Sequence, residues 1–127
     1  MRSKHGVLRA AIFLGILHAL WHILADFLGN FNNYGAVWFP YFASFSLFVV
    51  ALRVLIVYVY EKTGSLFLAQ LMHASSSGFL AVLVPMGISG RSWFIFYAVY
   101  ATVLSIIAVI QVIRNKSIFL DQPVKQK

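Results

Sequence analysis

The chain has no cysteine among its 127 residues, so neither a disulfide framework nor a thiolate metal site is available to it. It is also poor in charge: 10% of residues are charged, against roughly 25% in a soluble domain, and so few cannot cover a soluble surface. Only three residues are acidic, Asp26, Glu61 and Asp121, and none lies in the middle of an apolar segment. Mid-membrane general-base chemistry by a carboxylate of this segment is therefore not expected. What is present is hydrophobic: 61% of the chain, with a mean hydropathy of +0.86. The net charge of +7 does not imply nucleic acid, because the basic residues stand at the ends of apolar segments, the pattern of membrane anchoring.

Four apolar stretches, at about 6–28, 37–60, 65–86 and 92–113, are long enough to cross about 30 Å of hydrocarbon at about 1.5 Å per residue. The expectation is an all-α integral membrane bundle of about four transmembrane helices. It would form one membrane domain over 1–114, followed by a polar, frayed tail over 115–127. Gly29-Asn30-Phe31-Asn32-Asn33-Tyr34-Gly35 reads as a loop, and Glu61-Lys62-Thr63-Gly64 as a tight turn with Thr63 capping the next helix. Arg2, Lys4 and Arg9, then Lys62, then Arg114, Lys116, Lys125 and Lys127 mark one side of the bilayer, while the first connection carries no basic residue. Both termini are thus expected in the cytoplasm, with the plasma membrane as the natural location. A cleaved signal peptide is disfavoured, since the first apolar run is too long and lacks a small-x-small site after it.

The first helix carries His18, His22 and Asp26, four apart and so on one face. Two imidazoles one turn apart suit a divalent metal such as zinc, although interhelical hydrogen bonding is the alternative role. Intramembrane polar groups favour function for the pair, while Asp26 near the helix end suits the headgroup region. The third helix supplies His73 and, one turn on, Ser77. Counted from the helix starts, His18 lies roughly 18 Å deep, His22 roughly 24 Å and His73 roughly 12 Å, which allows the three rings to meet. Ser75 and Ser76 read as packing residues beside the small pair Ala74 and Gly78. Arg53 reads as an anchor whose long stem reaches the interface.

The stretch from His5 through Leu14-Gly15-Ile16-Leu17-His18-Ala19-Leu20-Trp21-His22 resembles the second motif of the CPBP family, the CAAX-protease and bacteriocin-processing intramembrane metalloproteases. That motif is Phe-x-x-x-His. His22 takes the family histidine in the closer match, Ala19-Leu20-Trp21-His22, with His18 where Phe or Trp is usual; the alternative register, Leu14-Gly15-Ile16-Leu17-His18, would make His18 the family residue. Tyr60-Glu61-Lys62-Thr63-Gly64-Ser65 through Leu71-Met72-His73-Ala74 resembles the approach to the third motif, His-x-x-x-Asn or -Asp, with Ser77 in the Asn/Asp place. The family's Glu-Glu motif has no counterpart, so the likeness is to a C-terminal portion. The resemblance implies a metallopeptidase acting on a lipidated tail or small peptide. His22, His73 and Ser77 would be catalytic, and His22, His73 and His18 metal-binding. The implied partners are the lipid bilayer, the peptide substrate, and an upstream half or a second copy. A non-catalytic four-helix subunit, whose histidines bind metal, relay protons or pack, is the alternative from another class.

Overall fold

The computed structural model describes residues 6–83 and 90–120. Five α-helices follow in order: α1 (Val7–Tyr34), α2 (Trp38–Thr63), α3 (Leu66–Leu83), α4 (Gly90–Arg114) and the short α5 (Lys116–Phe119). The described residues contain no strand, and the fold is an all-α bundle.

The first connection is shorter than its composition suggests. The segment rich in Asn and Gly that reads as a loop is helical, and α1 continues to Tyr34 before a three-residue 3₁₀ turn, Gly35–Val37. Phe27, Phe31 and Tyr34 recur at helical spacing. Phe27 meets Trp38 at a ring separation of 4.9 Å, and Tyr34 meets Tyr41 at 5.0 Å. Aromatic pairs of this kind outweigh the few tenths of a kcal/mol per residue by which Asn disfavours a helix. Gly35, with φ +54°, supplies the left-handed residue on which the helix ends. Pro40 falls in the first turn of α2, where its missing N–H costs no helical bond.

The α2–α3 turn is as tight as expected, but its cap differs. Gly64 closes α2 with φ +65° and donates its N–H to the Tyr60 carbonyl at 2.8 Å. Ser65, not Thr63, caps α3 by accepting the Leu68 N–H at 3.3 Å. Thr63 instead spends its hydroxyl on the Val59 carbonyl and receives the Ser65 N–H.

Helix α2 is the central element: α4 and α1 both pack along it, and α3 rests on it over a smaller area. Trp38, Tyr41, Phe48, Val49, Leu52 and Tyr97 belong to the core between α2 and α4. The tail also corrects its expectation: Ile118-Phe119-Leu120 is apolar, and Phe119 is wholly buried against Val7, Ala11 and Tyr58. The residues beyond 120 lie outside the described part, as do 84–89, on which the end of the third apolar stretch and Pro85 fall.

Three segments, Val7–Gly29, Gly35–Thr63 and Gly90–Arg114, are long and apolar enough to cross a membrane, with hydropathies of 1.8, 2.3 and 2.2. Helix α3 is described over 18 residues, about 27 Å at the helical rise. Large apolar side chains cover the outside, including Trp21 at 83%, Val82 at 81% and Phe67 at 73% exposure. Helices apolar on their outer faces as well as their inner ones belong in lipid, and the chain is a membrane protein.

Candidate functional site: a histidine–arginine cluster

Gly15 sets the position of the cluster. A Cβ there would stand 2.9 Å from the Val50 Cα, so the backbones of α1 and α2 approach as only glycine permits. One turn further along each helix are His18 and Arg53. The Arg53 guanidinium lies 3.0 Å from His18 Nδ1. Arginine has N–H donors and no acceptor, so Nδ1 must accept and the neutral ring carries its proton on Nε2. Arg53 is therefore not a free-standing anchor: at this depth its charge is turned inward onto a histidine.

His18 is also the ring that joins the other two. It stacks on His22 with centroids 5.2 Å apart and on His73 of α3 with centroids 5.7 Å apart. His22 turns its other side to the edge of Phe45 at 5.6 Å. All three rings are partly buried. Of the two histidines of the first helix, His18 contacts His73 of the third, and His22 joins the cluster through its contact with His18.

Two pockets adjoin the cluster. One, of about 370 Å³, is lined by His18, His22, Phe45, His73, Ser77 and Tyr97 among others. The second, of about 580 Å³, is lined by Leu17, His18, Trp21, Arg53, Gln70 and His73 among others. His18, Arg53 and His73 line both. No acidic side chain lines either, among the described residues.

Ser77 lines the smaller pocket, and its hydroxyl donates to the His73 carbonyl at 3.3 Å. Ser76 donates to the same carbonyl at 2.8 Å, and Ser75 donates to the Met72 carbonyl at 3.1 Å. All three serines thus satisfy their hydroxyls on their own helix. The small pair beside them packs against nothing among the described residues: Ala74 is exposed and a Cβ at Gly78 would meet nothing within 4 Å. Asp26 is held apart from the cluster, two turns beyond His18, where it accepts from Trp38 Nε1 at 2.7 Å and from the Tyr41 hydroxyl at 3.2 Å. It ties the end of α1 to the start of α2.

The fit of a divalent ion can be judged from the rings themselves. A zinc site needs imidazole lone pairs, which lie in the ring planes, to converge at about 2.0–2.1 Å. Here the planes of His18 and its neighbours are nearly parallel, at 29° and 21°, and the Nδ1 lone pair of His18 is occupied by a cation. Among the described residues no group of three or more His, Cys, Asp or Glu side chains is placed to hold a metal. The three imidazoles in this arrangement do not fit a shared ion, and no chemical step is routed through one. What the arrangement does offer is donors: the remaining guanidinium N–H groups and, on His18, an Nε2–H.

Arg53, Gln70, Phe45 and Tyr97 were not singled out by sequence as site residues. Arg53 carried a usable signal, because an arginine inside an apolar helix is costly and marks function more often than anchoring. Comparison of the chain with protein-family models, curated proteins and solved structures finds no match, so geometry and chemistry alone carry the reading of the site.

Proposed function

We propose that this chain forms the water-orienting, oxyanion-stabilising part of an intramembrane peptidase of the CPBP type. The observation that carries the reading is the stacking of His18 on His73, which joins the two motif-bearing helices within the membrane. The same contact, together with the hydrogen bond from Arg53, favours the register in which His18 is the family histidine and His22 a neighbour that packs against it. In the proposed chemistry, the substrate carbonyl enters the smaller pocket. The Nε2–H of His18 and the ring of His73 then hold the attacking water and stabilise charge as it develops on oxygen. Ser77 lines that pocket as a lesser polar group. A carboxylate must take the proton from the water, and it would come from a segment outside these helices. The substrate class is a peptide bond near the membrane, in a lipidated tail or a small peptide. The charge count supports both termini in the cytoplasm of a plasma-membrane protein.

Among the described residues neither pocket is lined by an acidic side chain, which favours a second reading, a non-catalytic membrane subunit. The two separate in one assay. Reconstitute the chain in proteoliposomes alone and joined to an upstream segment bearing a Glu pair, and challenge both with a peptide library. The peptidase reading expects cleavage only by the joined protein, lowered about 10²-fold or more by His73→Ala. Failure of the joined protein to cleave any peptide would leave the subunit reading in its place.

A further inference from the structure

The larger pocket has a feature that peptide hydrolysis does not use. Among the described residues that line it, the permanently charged side chain is Arg53, set within α2 ten residues before its end at Thr63, about 15 Å along the axis. The bond to His18 engages only one of five guanidinium N–H donors. Gln70 adds an amide that both donates and accepts. A cation at this depth is expensive unless an anion accompanies it. No acidic residue lines the pocket among those described. The remaining wall is apolar: Leu17, Trp21, Ile56 and Leu66 among others. Leu66 is the first residue of α3, beside the polar Glu61–Gly64 turn, so the pocket runs from the start of α3 two turns along it to His73. At about 580 Å³ it has room for an anionic group and a length of hydrocarbon.

We propose that this pocket binds an anionic lipid, with its carboxylate or phosphate on the Arg53 guanidinium beside the Gln70 amide and its chain against Leu17, Trp21 and Leu66. A guanidinium pairs with a planar or tetrahedral oxyanion through two parallel hydrogen bonds, which a neutral or cationic head cannot accept. A peptide is disfavoured as occupant, because the side chains able to accept from its backbone N–H groups are few, the Gln70 amide and the His73 ring. The inference does not depend on the peptidase reading, since binding is read without any cleavage.

The test uses the full chain, with ¹⁵N-labelled histidine, in zwitterionic micelles. Decyl phosphate, decanoate, decyltrimethylammonium and a decapeptide with a free C-terminal carboxylate are each titrated against the ring-nitrogen signals of His18. Both anionic lipids should give saturating shifts, the tighter one identifying the head group. Arg53→Gln should weaken binding about 10- to 100-fold. Arg53→Lys, which keeps the charge but not the fork, should fall between. Helix content is followed by circular dichroism in every variant; if Arg53→Gln unfolds, Arg53→Lys decides, and affinity equal to the unaltered chain's overturns the proposal. An equal shift with decyltrimethylammonium also overturns it, as does tighter binding of the peptide than of either lipid.

Discussion

His18 receives a hydrogen bond from Arg53 at 3.0 Å and stacks on His73 at 5.7 Å, so one ring links α1 to both α2 and α3. The first contact fixes the tautomer of the ring that makes the second. With Nδ1 accepting, His18 faces a ligand as an N–H donor and not as a base or metal ligand. The cluster therefore favours anions and developing negative charge, and it leaves the general base to another residue.

The close approach at Gly15 should be the most sensitive point of the α1–α2 contact. Gly15→Ala puts a methyl against the Val50 backbone and should cost about 1–3 kcal/mol, as overpacking does. Gly78→Ala meets nothing and should cost nothing, or gain slightly through helix propensity. Denaturation of both variants from mild detergent into dodecyl sulfate, followed by circular dichroism, compares them directly. Equal stability of the two would mean that α1 and α2 are not in contact at Gly15.

Asp26 should behave as a structural clasp. Its replacement by Asn keeps the shape but removes the charge that Trp38 and Tyr41 engage, at a cost on the order of 1 kcal/mol. A double-mutant cycle with Trp38→Phe should reveal coupling between the two positions. Strictly additive losses would show that the contact contributes nothing.

Much of this arrangement was legible in the sequence. Apolar length gave the bundle and its membrane character, and the fourfold spacing of His18, His22 and Asp26 placed them on one face. The helical course of 29–34 was hidden because Asn and Gly signal a turn locally, while the aromatic partners that hold the helix, Trp38 and Tyr41, lie beyond it. The inward turn of Arg53 was hidden for a related reason. It depends on the rotation of α2 against α1, which the Gly15–Val50 approach sets and which no local pattern reports. The motif match favours His22 as the family histidine, and that His18 is instead the ring stacked on His73 needed the position of α3.

A metal, if one binds, should compete with Arg53. Arg53→Met frees the His18 Nδ1 lone pair, so zinc content of the purified chain should rise above that of the unaltered protein. The added zinc should be lost toward acid pH, because protonated imidazole cannot ligate. Elemental analysis in detergent gives the ratio. One zinc per unaltered chain, lost equally on His22→Ala and His73→Ala, would instead restore the three-imidazole ligand set implied by the family resemblance.

The meeting of α1 and α3 at His18 and His73 is the claim on which the site stands, and the absence of cysteine makes it directly measurable. The pairs His18→Cys/His73→Cys and His22→Cys/His73→Cys can be introduced into the otherwise cysteine-free chain. Native membranes are then treated with a short bifunctional methanethiosulfonate, and the exposed Phe67→Cys, paired with His18→Cys, serves as control. The 18–73 pair should cross-link within one chain, faster than the 22–73 pair and far faster than the control. An 18–73 pair that fails to link, or that links more slowly than 22–73, would contradict the geometry.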